Sequence, residues 1–354
     1  MNIANLRNKI DALDKKILKL LSSRANTAKA IGHLKAKDNK EFYAPAREKK
    51  VLTGIVKQNK GPLSNFAVEI IYREILNACR SLESKIKVAY FGPEATFTHQ
   101  AAIKNFGAGA EYIPATSISD VFTEVERGRA DYGVVPIENS TEGMVNHTLD
   151  MFIESDLTIC AEISMKIEEC LLSQSGDIKD VKLVVSYLQP LAQCRNWLEE
   201  NLPGVPLKEM SSTTQAAIYA AKNKSAAAVA SSAAAKIYNL SIVARGIEDS
   251  RENYTRFLVI SRFPAKRSGM DKTSIMFSIK DRVGALHDML MTFKKNNVNL
   301  SKIESRPTKK KAWEYIFFID MVGHSSEKRI QNALKAIEKN CVFLKILGSY
   351  PRAD

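Results

Sequence analysis

Asn253-Tyr254-Thr255-Arg256-Phe257-Leu258-Val259-Ile260 joins a polar head to an apolar run with the length and β-branched content of a buried strand. A hydroxyl, an amide and a guanidinium are crowded into its first four residues. Polar groups where a strand begins can face a cleft while the apolar residues beside them anchor the backbone. The stretch therefore predicts a strand whose mouth carries chemistry.

Working outward, short apolar segments of the same kind recur at 88–91, 132–135, 183–186 and 227–230, separated by helical stretches. Such alternation predicts an α/β domain with largely parallel sheets. Three more polar stretches punctuate it: Gly92-Pro93-Glu94-Ala95-Thr96-Phe97, Val135-Pro136-Ile137-Glu138-Asn139-Ser140 and Ser212-Thr213-Thr214-Gln215-Ala216-Ala217. They fall in two halves, which predicts two lobes with a cleft between them. Neither half holds a G-x-G-x-x-G or P-loop pattern, so no nucleotide cofactor is expected.

The pattern differs on both flanks. Before residue 86, Ile3, Leu6, Ile10, Leu13, Ile17, Leu20, Ala28, Ile31 and Leu34 step mostly by threes and fours, the period of one long amphipathic helix. Such a helix spans about 50 Å at 1.5 Å per residue, too long to bury its stripe in one small domain. It needs a partner. Pro45 suits the first turn of a second helix ending near residue 58, Gly61-Pro62 breaks it, and Ser64 can cap a third that ends at Ser84-Lys85. Beyond a linker at 264–269, strand, helix, strand, strand, helix, strand follow at 274–279, 284–294, 298–305, 314–321, 327–339 and 342–347. That βαββαβ order is the ferredoxin-like layout.

Composition is that of ordinary globular material: 354 residues, 45% hydrophobic and 26% charged. Arg7, Lys9, Asp11 and Asp14 leave no apolar signal region, and no later run is long enough for a bilayer, so a cytoplasmic protein is expected. The 5 cysteines (Cys79, Cys160, Cys170, Cys194, Cys341) form no C-x-x-C pair, which argues against a disulfide framework or a zinc site; no metal is expected. The net charge of +13 is spread along the chain, with one local run at Lys309-Lys310-Lys311, and no nucleic-acid-binding pattern accompanies it. A dianionic small substrate uses the same charge.

The four polar stretches resemble, in order, the first glycine loop, the V-P-I-E-N-S segment, the S-T-x-x-A-A turn and the N-x-T-R-F signature of prephenate dehydratases. The flanks resemble a helical chorismate mutase and an ACT regulatory domain. The whole is similar to the bifunctional mutase–dehydratases of phenylalanine biosynthesis. The resemblance implies an all-α mutase domain (1–85), an α/β, two-lobed, periplasmic-binding-protein-like dehydratase domain (86–264) and an α+β, ferredoxin-like ACT domain (272–350), assembled as a homodimer or tetramer. It implies chorismate and prephenate as substrates, L-phenylalanine as effector and no cofactor.

A Claisen rearrangement needs no nucleophile. It needs a flexible dianion held in a chair with charge near the breaking ether bond. The resemblance assigns Arg7, Arg24 and Arg47 to the carboxylates, Lys35 and Glu83 to the ether oxygen, Glu48 to the hydroxyl and Cys79 to the pocket. Geometry adds to this. Arg24 and Lys35, eleven residues apart, share nearly one helix face, whereas Arg7 lies roughly 25 Å along the axis from Arg24 and reaches that pocket only from an antiparallel second copy. An ionised Glu83 cannot donate to the ether oxygen, so mutase activity is expected to fall as pH rises. Ala44 and Cys79 depart from the family pattern.

In the second reaction prephenate loses carbon dioxide and its ring hydroxyl, driven by aromatisation. By the same resemblance Thr255 serves the leaving hydroxyl, and Arg256, Asn253, Asn139, Ser140 and Thr213 bind carboxylates or shape the pocket. Glu138 is either a base or a partner of Arg256. Ser186-Tyr187-Leu188-Gln189 stands where many relatives carry Ser-His-x-Gln, so no histidine acts there. In the ACT segment, Gly284-Ala285-Leu286-His287, Asn299-Leu300 and Glu304-Ser305-Arg306-Pro307 match the phenylalanine-binding motifs. Two other readings fit parts of the chain: a non-catalytic amino-acid sensor, and a monofunctional dehydratase dimerised by its helical domain.

Overall fold

The computed structural model describes every residue except 1, 39–40, 142, 251, 280–281, 308–314 and 354. The basic run Lys309-Lys310-Lys311 and the start of the strand expected at 314–321 lie outside the described residues.

Three helices open the chain, α1 (Ile3–Lys37), α2 (Pro45–Gln58) and α3 (Asn65–Glu83). Their ends follow local chemistry: Asn2 and Ser64 accept from the N–H groups of Asn5 and Ala67, and Pro45 is the first residue of α2. α1 buries only Ala28 and Gly32. Its apolar stripe stays bare, with Ile3 70% and Ile10 55% exposed. Where α1 meets α3 the backbones touch, since a Cβ on Gly32 would sit 2.7 Å from Glu83 Cα.

The next lobe holds β1 (Lys87–Phe91), α4 (Phe97–Phe106), β2 (Glu111–Ala115), α5 (Ile118–Glu126), β3 (Tyr132–Asn139), β4 (Gly143–Met144), α6 (Asn146–Glu154) and β5 (Thr158–Lys166). The chain then crosses to β6 (Glu169–Ser173), β7 (Leu183–Ser186), α7 (Leu188–Gln193), α8 (Arg195–Asn201), β8 (Leu207–Glu209), α9 (Thr213–Lys222), β9 (Ala226–Ser231), α10 (Ser232–Ile237) and β10 (Ser241–Arg245), and returns as β11 (Tyr254–Ser261). Two sheets result, β2-β1-β3-β11-β5 with β4 beside β3, and β10-β6-β9-β7-β8. The expectation of largely parallel sheets is corrected. β1–β2, β1–β3, β7–β8 and β7–β9 are parallel, but β3–β11, β5–β11, β6–β9 and β6–β10 are antiparallel. β3 and β5 end at the hinge where β11 begins, so the returning strand runs against both.

The last domain comprises β12 (Asp271–Ile279), α11 (Ala285–Lys295), β13 (Leu300–Pro307), β14 (Tyr315–Val322), α12 (Lys328–Glu338) and β15 (Cys341–Pro351), with the antiparallel order β13-β14-β12-β15. One face of this sheet packs Ile275, Phe277 and Ile319 under the helices through Met289, Phe293 and Ile337. The other face sends Met276, Phe318, Leu347 and Tyr350 into one cluster with Val135, Leu258 and Ile260 of the first lobe. Contact there reaches the backbone: a Cβ on Gly348 would lie 2.2 Å from the Ile159 carbonyl oxygen. The segment read as a linker is pinned, because Ser268 and Gly269 donate their N–H groups to Asp271 and Ala265 packs on the first lobe.

The helical segment and the first lobe share a core. Tyr43 of the helical segment is 4% exposed within a cluster containing Val88, Phe106, Tyr132 and Phe257. Arg80 lies over the Tyr43 ring at 4.9 Å and donates to the Asn105 carbonyl at 2.8 Å.

Candidate active site

β3 ends and β11 begins side by side, pairing Asn139 with Thr255 and Glu138 with Arg256. Side chains alternate across a strand, so each pair faces its own side of the sheet. Thr255 and Asn139 face the cleft; Arg256 and Glu138 face the last domain.

On the cleft side the amide orientations are determined by the Thr141 backbone N–H, a donor that cannot accept. The Thr141 backbone N–H donates to Asn139 Oδ1 at 3.0 Å and the Thr141 hydroxyl does so at 2.5 Å. Asn139 Nδ2 therefore points to Thr255 Oγ1 and to Asn253 Oδ1, at 2.8 Å each. Asn253 Nδ2 donates to Gln193 Oε1 at 3.2 Å, and Gln193 Nε2 returns to the Thr141 hydroxyl at 3.3 Å. This closes a ring of four side chains, with Gln193 reaching in from the second lobe. Thr255 Oγ1 accepts from Asn139, and among the described residues its own hydrogen has no acceptor. A hydroxyl is one donor and an acceptor; here the donor is held in reserve. Asn253 is 1% and Thr255 9% exposed, so the group is fixed by its neighbours.

Ser140 is a latch for this ring. Its hydroxyl donates to the Glu252 carbonyl and accepts from the Tyr254 N–H, both at 2.9 Å, tying the end of β3 to the start of β11. Thr213 is the first residue of α9, capped by Ser212. A ten-residue helix directs unpaired N–H groups forward. Thr214 donates to the Glu94 carbonyl at 3.0 Å, holding the 92–96 loop against the second lobe.

Arg256 requires a correction. Arg256 does not share the cleft with Thr255; its guanidinium is bound by Glu162 at 2.7 Å and Asp320 at 2.6 Å and donates to the Tyr350 hydroxyl at 3.0 Å. Lys272 also holds Glu162, at 2.9 Å. Glu138 is paired with Lys302 of β13 at 2.5 Å and with Arg256 at 3.9 Å, which is the second of its two expected roles. Strand periodicity alone separates 255 from 256. Gln193 and Thr141 were missed for the opposite reason: only the meeting of the two lobes brings them to Asn139.

In the helical domain Lys35 donates to Glu83 at 2.7 Å and to the Phe42 carbonyl at 3.2 Å, so the two residues expected at the ether oxygen face one point. Arg24 is half-buried, Arg47 exposed and Cys79 buried. Glu48 is engaged by Arg80 at 2.6 Å, and burial pushes its carboxyl above the ordinary range against the lowering effect of Arg80. It lines a groove of about 630 Å³ between α2, α3 and β5 that also holds Arg73, Lys104 and Arg352. Arg7 is exposed on the bare half of α1.

In the last domain Gly284 takes φ +78 at the N-cap of α11, a conformation that favours glycine. The expected effector residues divide between two faces of β13. Glu304 pairs with Phe318 and Arg306 with Ile316, both turned to the first lobe, and Arg306 binds Asp150 at 2.6 Å. Ser305 pairs with Phe317 on the helix side, where Leu286 is 37% exposed. Asn299 accepts from the Val322 N–H at 2.9 Å, and Leu300 packs on the helix-side core.

Among the described residues no helix is long and apolar enough to cross a membrane, no metal-binding group of side chains occurs, and the cysteines are free. Three family models match the chain: chorismate mutase type II over 6–84, prephenate dehydratase over 88–265 and ACT domain over 273–339. A bifunctional chorismate mutase/prephenate dehydratase of Aquifex aeolicus is 52% identical over 355 residues, covering 99% of this chain and 98% of the relative. Its counterpart in Pseudomonas aeruginosa is 44% identical over 354 residues, covering 98% and 97%. A prephenate dehydratase from Arthrobacter aurescens, solved in complex with L-Phe, superposes with a TM-score of 0.71 at 34% identity, covering 76% of this chain and 91% of that one.

Proposed function

Because the chain belongs to the family of bifunctional chorismate mutase/prephenate dehydratases, we propose that Thr255 donates its free hydroxyl hydrogen to the ring hydroxyl leaving prephenate. The helical domain rearranges chorismate to prephenate, and the two-lobed domain converts prephenate to phenylpyruvate. The observation that carries the assignment is the ring that leaves Thr255 Oγ1 accepting from Asn139, with its proton unspent. As the C–O bond breaks, charge grows on the leaving oxygen, and a donor fixed beforehand stabilises it without reorganisation. Carbon dioxide departs with the electron pair of its bond going into the ring; the Thr255 hydroxyl hydrogen-bonds to the departing hydroxide and stays protonated overall, because the proton that makes the hydroxide into water is drawn from solvent through or beside that hydroxyl. Asn253, Gln193 and Ser140 hold the geometry, and the α9 N-terminus at Thr213 suits a carboxylate. Purified protein supplied with chorismate should accumulate prephenate transiently and then phenylpyruvate; chorismate left unconsumed defeats the mutase assignment, and prephenate persisting defeats the dehydratase one.

For the mutase, Lys35 and Glu83 converge on the ether oxygen, Arg24 and Arg47 take the carboxylates, Glu48 takes the hydroxyl and Cys79 completes the pocket. The bare stripe of α1 supports a dimer in which Arg7 of a second copy completes each site. Mixing inactive Arg7→Ala chains with inactive Arg24→Ala chains should restore part of the activity, up to roughly a quarter of the sites in the mixture being free of both changes. Verified subunit exchange with no recovery rules out the composite site.

L-phenylalanine is the effector this reading assigns to Gly284, Ala285, Leu286 and Ser305, with Asn299 and Leu300 behind them. Arg306 acts from the other face of β13, through Asp150, and Glu304 lies on that face beside it. The effector inhibits by preferring one arrangement of the ACT domain on the first lobe. Ser305→Ala and Gly284→Val should each weaken inhibition about tenfold, a coupling within the usual 1–3 kcal/mol, while uninhibited turnover stays level. Calorimetric phenylalanine binding unchanged in both variants would move the site elsewhere.

A further inference from the structure

The chain passes between the two lobes twice, at 167–168 between β5 and β6 and at 246–253 between β10 and β11. A pair of buried carboxyl groups lies where these crossings touch. Glu169, the first residue of β6, is 1% exposed, and Glu248 on the return crossing is 6% exposed. Glu248 Oε2 accepts the Glu169 backbone N–H at 2.9 Å, and the Ile247 N–H donates to the Glu169 carbonyl at 3.1 Å. Glu169 Oε2 has no hydrogen-bond partner among the described residues.

Among the described residues nothing around the pair neutralises it. Glu168, on the first crossing, and Cys170, on β6, flank Glu169, and Glu248 and Asp249 approach from the return crossing. Cys194 approaches from the α7–α8 junction. Ser231, opposite Glu169 on β9, gives its hydroxyl to the Ala95 carbonyl at 2.8 Å. Arg245 is turned to Glu168 at the surface, 3.8 Å away. Asp249 is satisfied by the N–H groups of Asn196 and Trp197. A buried carboxyl with a second carboxyl beside it, and no cation against it among the described residues, keeps its proton.

The same crossings carry the cleft. The Asp249 N–H donates to the Gln193 carbonyl at 2.8 Å, and the Ile167 N–H to the Asn253 carbonyl at 2.8 Å. Gln193 and Asn253 are two members of the ring that orients Asn139 toward Thr255. Anything that parts the crossings pulls on this ring.

We propose that Glu169 is a positioning residue of the dehydratase: as a neutral acid packed against Glu248 it keeps the two interlobe crossings together, and loss of its proton separates them and releases Asn253 and Gln193. Burial, and then the charge of Glu248, pushes the Glu169 carboxyl up to about 8. The sign follows from linkage: a raised carboxyl favours the closed arrangement fully below its unfolded value near 4.3, and that preference is gone once pH passes about 8. Dehydratase activity therefore carries an alkaline limb set by Glu169.

The test uses the full chain, with prephenate and chorismate supplied separately across pH, and rests on the dehydratase assignment. The wild-type dehydratase kcat/KM should fall about tenfold per pH unit on the alkaline side, while the mutase profile measured in the same preparations should be the same for wild type and Glu169→Gln. In Glu169→Gln, isosteric with the neutral acid, the dehydratase profile scaled to its own plateau should be flat over that range. Parallel dehydratase limbs in wild type and Glu169→Gln overturn the proposal; no dehydratase turnover at any pH would instead remove the assignment beneath it. Should the variant not fold, infrared titration of the wild type decides: a carboxylic-acid C=O band must persist at neutral pH and vanish in step with the limb, and its absence rejects the neutral acid.

Discussion

Thr255→Ala is expected to lower dehydratase turnover by on the order of 10²–10³, the cost of removing one preorganised donor from a developing oxyanion, and to leave mutase turnover unchanged. The substitution removes a hydroxyl that accepts one bond, from Asn139 at 2.8 Å, so little of the fold depends on it. The ring through Asn253, Gln193 and Thr141 contains no atom of Thr255 and should survive. The loss should therefore fall on kcat rather than on KM, as for an interaction made in the transition state. Thr255→Ser, which keeps the donor, should recover much of the rate. Equal loss of both activities with the fold intact would show that the hydroxyl does not serve the dehydratase alone, and a rise in KM with kcat untouched would make it a ground-state binding group.

Arg256→Ala should act on stability rather than on substrate affinity. The guanidinium sits between Glu162 and Asp320, whose side chains are 3% and 10% exposed. Removing one partner of a buried ion cluster leaves charge uncompensated and costs about 3–5 kcal/mol. Lys272 remains for Glu162 at 2.9 Å but reaches Asp320 only at 4.0 Å, so Asp320 bears most of the loss. Adding Asp320→Asn to Arg256→Ala removes that charge and should recover part of the stability, a non-additivity expected of residues sharing one network. Denaturant unfolding followed with prephenate KM separates the possibilities: a large drop in midpoint with KM near the wild-type value fits the interface position, whereas a raised KM at full stability would return Arg256 to the cleft.

Much of this molecule is legible in its residues taken one element at a time. The three-and-four spacing from Ile3 to Leu34, Pro45 at a first turn and Ser64 as a cap are local signals, and α1, α2 and α3 follow them closely. The βαββαβ order was likewise written in the alternation of short apolar runs and amphipathic stretches, because both periods are properties of an isolated element. The four polar stretches pointed to the cleft, and Asn139 does meet Asn253 and Thr255 there although 114 and 116 residues separate it from them in the chain.

What the residues could not announce is which side of a sheet meets what. Thr255 and Arg256 read as one polar tetrad, yet the pleat sends one to the cleft and the other into the ACT interface, where Asp320 and Tyr350 arrive from distant strands. Glu304 and Arg306 are parted from Ser305 by the same pleat on β13. Gln193 joins Asn253, and Glu169 meets Glu248, only because two lobes share two crossings. Local spacing determines helices, strands and their polar ends, since those depend on neighbours a few residues away. The partner of each buried charge, and hence its role, depends on how sheets and lobes stack, and that is decided by tertiary packing alone.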